Sequence, residues 1–292
     1  MRILAAIDFS ESSKSLLKLL ETRPWPLNTE VTIIHAVDLA SLASGWVDLS
    51  PYIESQTASA RSMADEAAKG LMSKGLKASA EVICGSPRTV ILGFAEKWSP
   101  DLILIGSHGL SGVARFLLGS VAKSVLQGAH CPVEIVRGPG AAPQSGLKIL
   151  LATDGSVCSR RAAKSIAKRP WPRGTQVKVL AVAEPVSATP YSWYAGVQVV
   201  DRLQAELRKG AEEDVEWAAG ILSTAGLTAM KKVVLGNPKA SIVDEAKKWE
   251  SDLVVVGSHG RQGLDRFLIG SVAEAVALHS HCSVEVIKDK SH

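Results

Sequence analysis

Residues 106–121 read GSHGLSGVARFLLGSV, and residues 257–272 read GSHGRQGLDRFLIGSV. Both spell Gly-x2-Gly-x9-Gly-Ser, with Arg-Phe-Leu inside the nine-residue gap. In the first copy an apolar run, DLILIG (101–106), precedes the pattern, and the helix-periodic run SVAKSVLQ (120–127) closes it. The local reading is a buried strand, a glycine-bearing turn and a helix start. Glycine lets such a turn take positive φ and lets another group come close to the main chain.

The repetition extends well beyond the glycines. At an offset of 151, KWSPDLILIGSHG (97–109) faces KWESDLVVVGSHG (248–260), GSPRTVI (85–91) faces GNPKASI (236–242), and HCPVEIVR (130–137) faces HCSVEVIK (281–288). Near the start of each half the offset is 146, pairing Asp8 with Asp154 and RPWP (23–26) with RPWP (169–172). A five-residue length change therefore falls between these regions, in segments 38–54 and 184–198. The intervening GPGAAPQSG (138–146) has linker composition. A tandem duplication follows, with one domain over 1–138, a linker at 139–146 and a second domain over 147–292.

Each half alternates strand and helix patterns. RILAAI (2–7), VTIIHAV (31–37), ASAEVI (78–83), DLILIG and VEIV (133–136) read as strands. Between them, SESSKSLLKLLE (10–21) reads as a helix capped by Ser10. Segment 55–74 places Ala60, Met63, Ala64, Ala67 and Leu71 on one helical face. PRTVILGFAEKW (87–98) reads as a helix with proline in its first turn. The second half repeats the order, with a longer helix around 199–225. Near-continuous Val/Ile/Leu strands alternating with amphipathic helices imply an α/β fold, a parallel sheet covered on both faces. Ligands of such sheets bind beyond the carboxyl ends of the strands, where the winding direction reverses. Asp8, closing the first strand, and Gly106, closing the fourth, belong at that edge.

Composition narrows the function. The 292 residues are 46% hydrophobic and 21% charged, and 33 basic against 29 acidic residues leave a net charge of +4. That charge is small and scattered, so nucleic acid is not an expected partner. No run approaches a membrane span, MRILAAIDFS is too short and wrongly flanked for a signal peptide, and the four cysteines lack C-x-x-C spacing. The expectation is a reduced, cytoplasmic, soluble protein that binds no membrane.

The glycine stretch has the chemistry of a phosphate site. A helix start near Ser120 presents unpaired N–H groups, the positive end of the helix dipole and a hydroxyl. Neither a Walker loop, with Gly-Lys-Ser/Thr, nor the dinucleotide fingerprint G-x-G-x-x-G is present. The plainer alternative is that the glycines only make tight turns, with Ser120 as a simple N-cap.

These motifs together resemble the universal stress protein family in its tandem two-domain form. The resemblance rests on both G-x2-G-x9-G-S patterns, the strand-ending aspartates of AIDFSESS and ATDGSVCS, the G-x-P turns, and CPVEIV and CSVEVI closing each half. It implies two Rossmann-like domains, each a five-stranded parallel sheet of order 3-2-1-4-5. It further implies that Gly106, Gly109, Gly119 and Ser120, and likewise Gly257, Gly260, Gly270 and Ser271, line the phosphates of ATP. By the same resemblance Asp8 and Asp154 face the adenosine end, with main chain near Ala36–Val37 and Ala181–Val182 beside the base. AMP or a cyclic nucleotide is the alternative ligand, and Mg²⁺ or Mn²⁺ would bridge the phosphates. Some binders of the family carry a second hydroxyl where Ala122 and Ala273 stand here. Strand five of the family lies at the sheet edge and pairs with its counterpart, implying that the two domains pack together and leaving a homodimer open.

The halves differ inside the loop. Leu110-Ser111 is matched by Arg261-Gln262, so Arg261 is a candidate phosphate contact that favours the second site. Arg115 and Arg266 occur in both copies and read either as phosphate contacts or as solvated loop charges. His108 and His259 lack the partners a catalytic base needs and read as loop residues beside a ligand. HSHC (279–282) has metal-ligand letters, but its counterpart is QGAHC, and Cys131 and Cys282 read as small buried residues. Glu134 and Glu285 interrupt apolar strands, and the simplest reading is an acid that discourages uncontrolled edge pairing. Trp46, Tyr52, Tyr191, Trp193 and Tyr194 read as packing residues at the domain interface, the alternative being a cover for the base or the site, and the RPWP segments read as rigid connections. The leading functional expectation is a nucleotide-binding stress-response module. A slow ATPase or other nucleotide-handling enzyme, and a scaffold with vestigial sites, are the alternatives.

Overall fold

A computed structural model describes residues 1–38, 50–109, 118–140, 145–186, 197–261 and 269–288. The chain divides into two units, Met1–Pro143 and Gln144–Asp289, with the division inside the predicted linker. Gly140, near the start of that linker, is packed rather than loose. Gly140 has φ +71° and lies where a Cβ would come within 1.7 Å of the Ser15 carbonyl oxygen.

In the first unit β1 (Arg2–Ala6), α1 (Glu11–Thr22), β2 (Glu30–Val37), α2 (Ser50–Ser73), β3 (Lys77–Cys84), α3 (Pro87–Trp98), β4 (Leu102–Gly106), α4 (Ser120–Gly128) and β5 (Val133–Val136) follow in order. The second unit repeats them as β6 (Lys148–Ala152), α5 (Val157–Lys168), β7 (Gln176–Ala183), α6 (Val197–Thr224), β8 (Thr228–Leu235), α7 (Pro238–Lys248), β9 (Leu253–Gly257), α8 (Ser271–His279) and β10 (Ser283–Ile287). Strand order is β3-β2-β1-β4-β5 in the first unit and β8-β7-β6-β9-β10 in the second. All of these neighbours run parallel, with Ile3 beside Leu102 and Ile149 beside Leu253 at the central pairings. The winding reverses between β1 and β4, and between β6 and β9, as the 3-2-1-4-5 expectation requires.

Beyond the charged first residues Arg2 and Lys148, the central strands are apolar because both sheet faces are covered. Ile3, Leu4, Ile103 and Leu104 are fully buried, as are Ile149, Leu150, Val254 and Val255. Helix α1 begins where Ser10 accepts a hydrogen bond from the Ser13 N–H at 3.4 Å. Helix α2 buries Ala60, Ala64, Ala68 and Leu71, while Met63 is 45% exposed. The expected stripe was therefore rotated. Small alanines let α2 lie close to the sheet, and Ala68 takes the inward place assigned to Met63.

Two sequence features assigned separate roles form one structure. Arg23, the first residue of RPWP, places both guanidinium Nη atoms on the Glu134 carboxylate, at 2.7 and 2.8 Å. Arg169 meets Glu285 at 2.7 Å in the second unit. Glu134 is wholly buried and Glu285 nearly so, which corrects the reading of these acids as guards of an open edge. The rest of each motif supports the pair. Trp25 and Trp171 lie under the guanidinium groups at 5.4 and 5.0 Å. Their indole N–H groups donate to Leu20 and Ile166, carbonyls in the last turns of α1 and α5.

Candidate functional site

The turn after β1 organises Asp8. Its Oδ1 accepts from the Ser10 N–H at 3.1 Å and from the Ser13 hydroxyl at 2.8 Å, and its own N–H donates to Ser13 Oγ at 2.9 Å. In the second unit Asp154 Oδ1 accepts from the Ser156 N–H at 3.1 Å. With Oδ1 tied into the turn, Oδ2 faces the glycine loop. A Cβ on Gly109 would sit 2.6 Å from Asp8 Oδ2, and one on Gly260 2.8 Å from Asp154 Oδ2. Only glycine accommodates so near a carboxylate, which gives these two positions their chemical reason.

The loop closes on itself. The Gly119 N–H donates to the Ser107 carbonyl at 2.8 Å, and Gly270 to Ser258 at 2.7 Å. Ser107 and Ser258 in turn donate their N–H groups to Val136 and Ile287. The last glycine is the N-cap of α4 or α8, with Ser120 and Ser271 as exposed first helical residues. No side chain caps either helix. By contrast, α1, α5 and α7 are each capped by the side chain of Ser10, Ser156 or Asn237. Helix α3 also starts without a side-chain cap, but with proline in its first turn; α4 and α8 start uncapped directly behind a glycine loop, which leaves their first-turn donors available to an anion. Ser120 is accordingly not the N-cap that the plainer reading assumed. Ala122 and Ala273, in the first turns of these helices, are buried.

His108 and His259 lie in the same loops. Each Nδ1 is 3.0 Å from the hydroxyl of the preceding serine, and each Nε2 is buried without a hydrogen-bond partner among the described residues. Burial, with a contribution from the Lys288 charge, pushes the His259 pKa below its ordinary 6.5. An unfolded chain then takes up the proton first. The second unit is therefore expected to hold its full stability above about pH 6.5 and to lose part of it as pH falls toward the folded value. Urea titrations between pH 7.5 and 5 check this, and His259→Gln should flatten the decline.

At the opposite end of the site, Val37 closes β2 and its carbonyl accepts from Gly85 N–H at 3.0 Å. The matching bond in the second unit runs from Gly236 N–H to Ala183. Strand register thus makes Ala183 the equivalent of Val37, one residue beyond Val182. Arg261 lies in the loop after Gly260, but its guanidinium bonds the Asp154 carbonyl and the Asp214 carboxylate. Arg115, Arg266, Trp46, Tyr191, Trp193 and Tyr194 fall outside the described residues. The structure therefore brings Asp8, Gly106, Gly109, Gly119 and Ser120 to one edge, and Asp154, Gly257, Gly260, Arg261, Gly270 and Ser271 to the matching one.

A family model for universal stress proteins matches residues 1–137 and again 147–288. The chain belongs to the universal stress protein family. It is similar to a universal stress protein of Mycolicibacterium smegmatis, 27% identical over 99% of this chain and 97% of that protein. A universal stress protein of Mycobacterium tuberculosis is 29% identical over 87% of this chain and 85% of its own length. The solved universal stress protein of Archaeoglobus fulgidus shares the fold, with a TM-score of 0.69 at 20% identity over 99% and 98% of the two chains. Universal stress protein domains thus account for both units. Among the described residues no helix is long and apolar enough to cross a membrane, and no group of three or more His, Cys, Asp or Glu could hold a metal ion.

Asp214 escaped sequence reading because its partners are remote: Arg261 stands 47 positions away. The signal available was the disagreement between copies. Asp214, Arg261, Arg160 and Gly155 stand where the first unit has Met63, Leu110, Lys14 and Phe9.

Proposed function

We propose that each unit binds an adenine nucleotide, ATP in the first instance, and that the protein acts in the cytoplasm as a stress-response binding and regulatory module. The observation that carries this reading is the pair of helix N-termini left without a capping side chain behind closed glycine loops. Anionic phosphate would take the donors of Gly119–Ser120 and Gly270–Ser271, and Asp8 and Asp154 would meet the nucleoside. The residues present fit such a group. Glycine at 109 and 260 keeps the space before the aspartate open, where a Cβ would fill it. Mg²⁺ or Mn²⁺ would be carried by the phosphates, since the described residues offer it no carboxylate cluster.

Denaturing the purified protein and analysing the supernatant by mass spectrometry is expected to release an adenine nucleotide. Titrating the stripped protein with ATP, AMP and cyclic AMP should then give saturable binding. Absence of binding to all three would leave a scaffold with vestigial sites, and multiple-turnover hydrolysis would make the protein an enzyme.

A further inference from the structure

The second unit contains a charged cluster that the first lacks. Asp214, on α6, is buried to 7% exposure and holds its carboxylate against three groups. Arg261 of the glycine loop pairs with Oδ2, Arg160 of α5 lies 3.8 Å from Oδ1, and Gly155 of the β6–α5 turn lies directly beneath. A Cβ on Gly155, which has φ +73°, would come 2.1 Å from Asp214 Oδ1, so the carboxylate occupies room that a side chain would take. Arg160 also donates to the Gly155 carbonyl at 3.0 Å and lies over Trp217 at 4.7 Å. Arg261 additionally donates to the carbonyl of Asp154. The cluster therefore ties the glycine loop, the strand-ending aspartate turn and α6 together at the mouth of the candidate site.

In the first unit these positions are filled otherwise. Phe9 stands in place of Gly155 at φ 60°, with its ring 4.6 Å from that of His35, and Met63 and Leu110 replace Asp214 and Arg261. The loop position of Arg261 is a leucine, Leu110, in the first unit's sequence, and the position of Asp214 is a methionine.

We propose that Asp214 sets the affinity of the second site by competing with ligand phosphate for Arg261. This rests on the nucleotide reading of the glycine loop. Arg261 is the loop cation nearest the strand-ending aspartate among the described residues, and its side chain is 58% exposed, so it is free to swing on its stem. Phosphate offers a guanidinium the same bidentate geometry as a carboxylate. Capturing Arg261 leaves Asp214 buried with Arg160 alone at 3.8 Å, a distance too long for a full hydrogen bond. The exchange therefore costs the second site part of what the arginine contributes. The two sites are built to fill at different nucleotide concentrations.

The test uses the full chain with the first site blocked by Gly119→Val and the second titrated with ATP. Asp214→Asn keeps the shape over Gly155 but removes the charge that holds Arg261. It is expected to tighten binding about tenfold. Adding Arg261→Gln to Asp214→Asn should return the affinity to about the parent value. Arg160→Gln lies at a position 46% exposed and is expected to stay folded, checked by its urea melt. It should weaken binding about threefold, since Asp214 then depends on Arg261 alone. Binding by the parent with no gain in Asp214→Asn overturns the competition while leaving the nucleotide reading intact. A gain that survives Arg261→Gln overturns the role of Arg261. If Asp214→Asn does not fold, the Arg160→Gln affinity decides, and an unchanged or tighter value overturns the proposal. No binding of ATP or of inorganic triphosphate by any form overturns the site reading and the competition with it.

Discussion

Glu134→Ala is expected to destabilise the first unit by about 3–5 kcal/mol, enough to unfold it near room temperature in mild urea. The reason is the asymmetry of a buried ion pair. Arg23 is 4% exposed and Glu134 is not exposed at all, so removing the carboxylate takes the charged partner from a buried guanidinium. Water cannot reach the cation to compensate the lost charge, and Trp25 offers it a ring face at 5.4 Å rather than an anion. Replacing both partners, as Arg23→Met with Glu134→Leu, should restore most of the loss, because the desolvation cost disappears with the charges. Glu285→Ala should act the same way on the second unit through Arg169. Hydrogen exchange read peptide by peptide separates the units, which a single melting curve would merge. Equal loss of protection in both units after Glu134→Ala, or a double variant as weak as the single, would refute this account.

Gly119→Val combined with Gly270→Val is expected to lower nucleotide affinity more than about a hundredfold while both units stay folded. Neither glycine is held by its backbone angles: φ is −59° at Gly119 and −65° at Gly270, values that any residue adopts. What a side chain meets is the loop itself. A Cβ at Gly119 would lie 3.3 Å from the Ser107 carbonyl oxygen, and one at Gly270 would lie 2.9 Å from that of Ser258. The branched methyls of valine would extend from there over the first-turn N–H groups. The helix start itself loses about 1 kcal/mol by such a change; at Gly270 the Ser258 main chain must also give way, a shift confined to the loop that leaves the buried sheet untouched. Calorimetric titration beside a urea melt reads both quantities. Retained affinity in the double variant would place the phosphates elsewhere. Global unfolding would mean the glycines serve the fold alone.

Much of the site could be read before the fold was known. Gly109 and Gly119 stand in a pattern that occurs twice, each time after a strand and before a helix, and local geometry alone delivers them to one edge. Asp8 follows because a residue closing the first strand of a doubly wound sheet lies beside the residue closing the fourth. Met63 shows the limit: helical periodicity defines a stripe, but the choice between neighbouring stripes depends on how closely the helix approaches the sheet. Glu134 shows it more sharply. An acid in an apolar strand reads as misplaced until Arg23, 111 residues away, arrives beneath it.

The duplication, the alternation of strand and helix, the parallel sheet with its reversal point, and the glycines at the edge were all legible in residue order. Each of these depends on residues close in the chain or on a comparison of one half with the other. Which charges meet is visible only in the folded chain: Arg23 with Glu134, Arg169 with Glu285, and Asp214 with Arg261 and Arg160. Ion pairing acts through space over a few ångströms, and sequence order says nothing about that distance until the sheet has brought remote segments together.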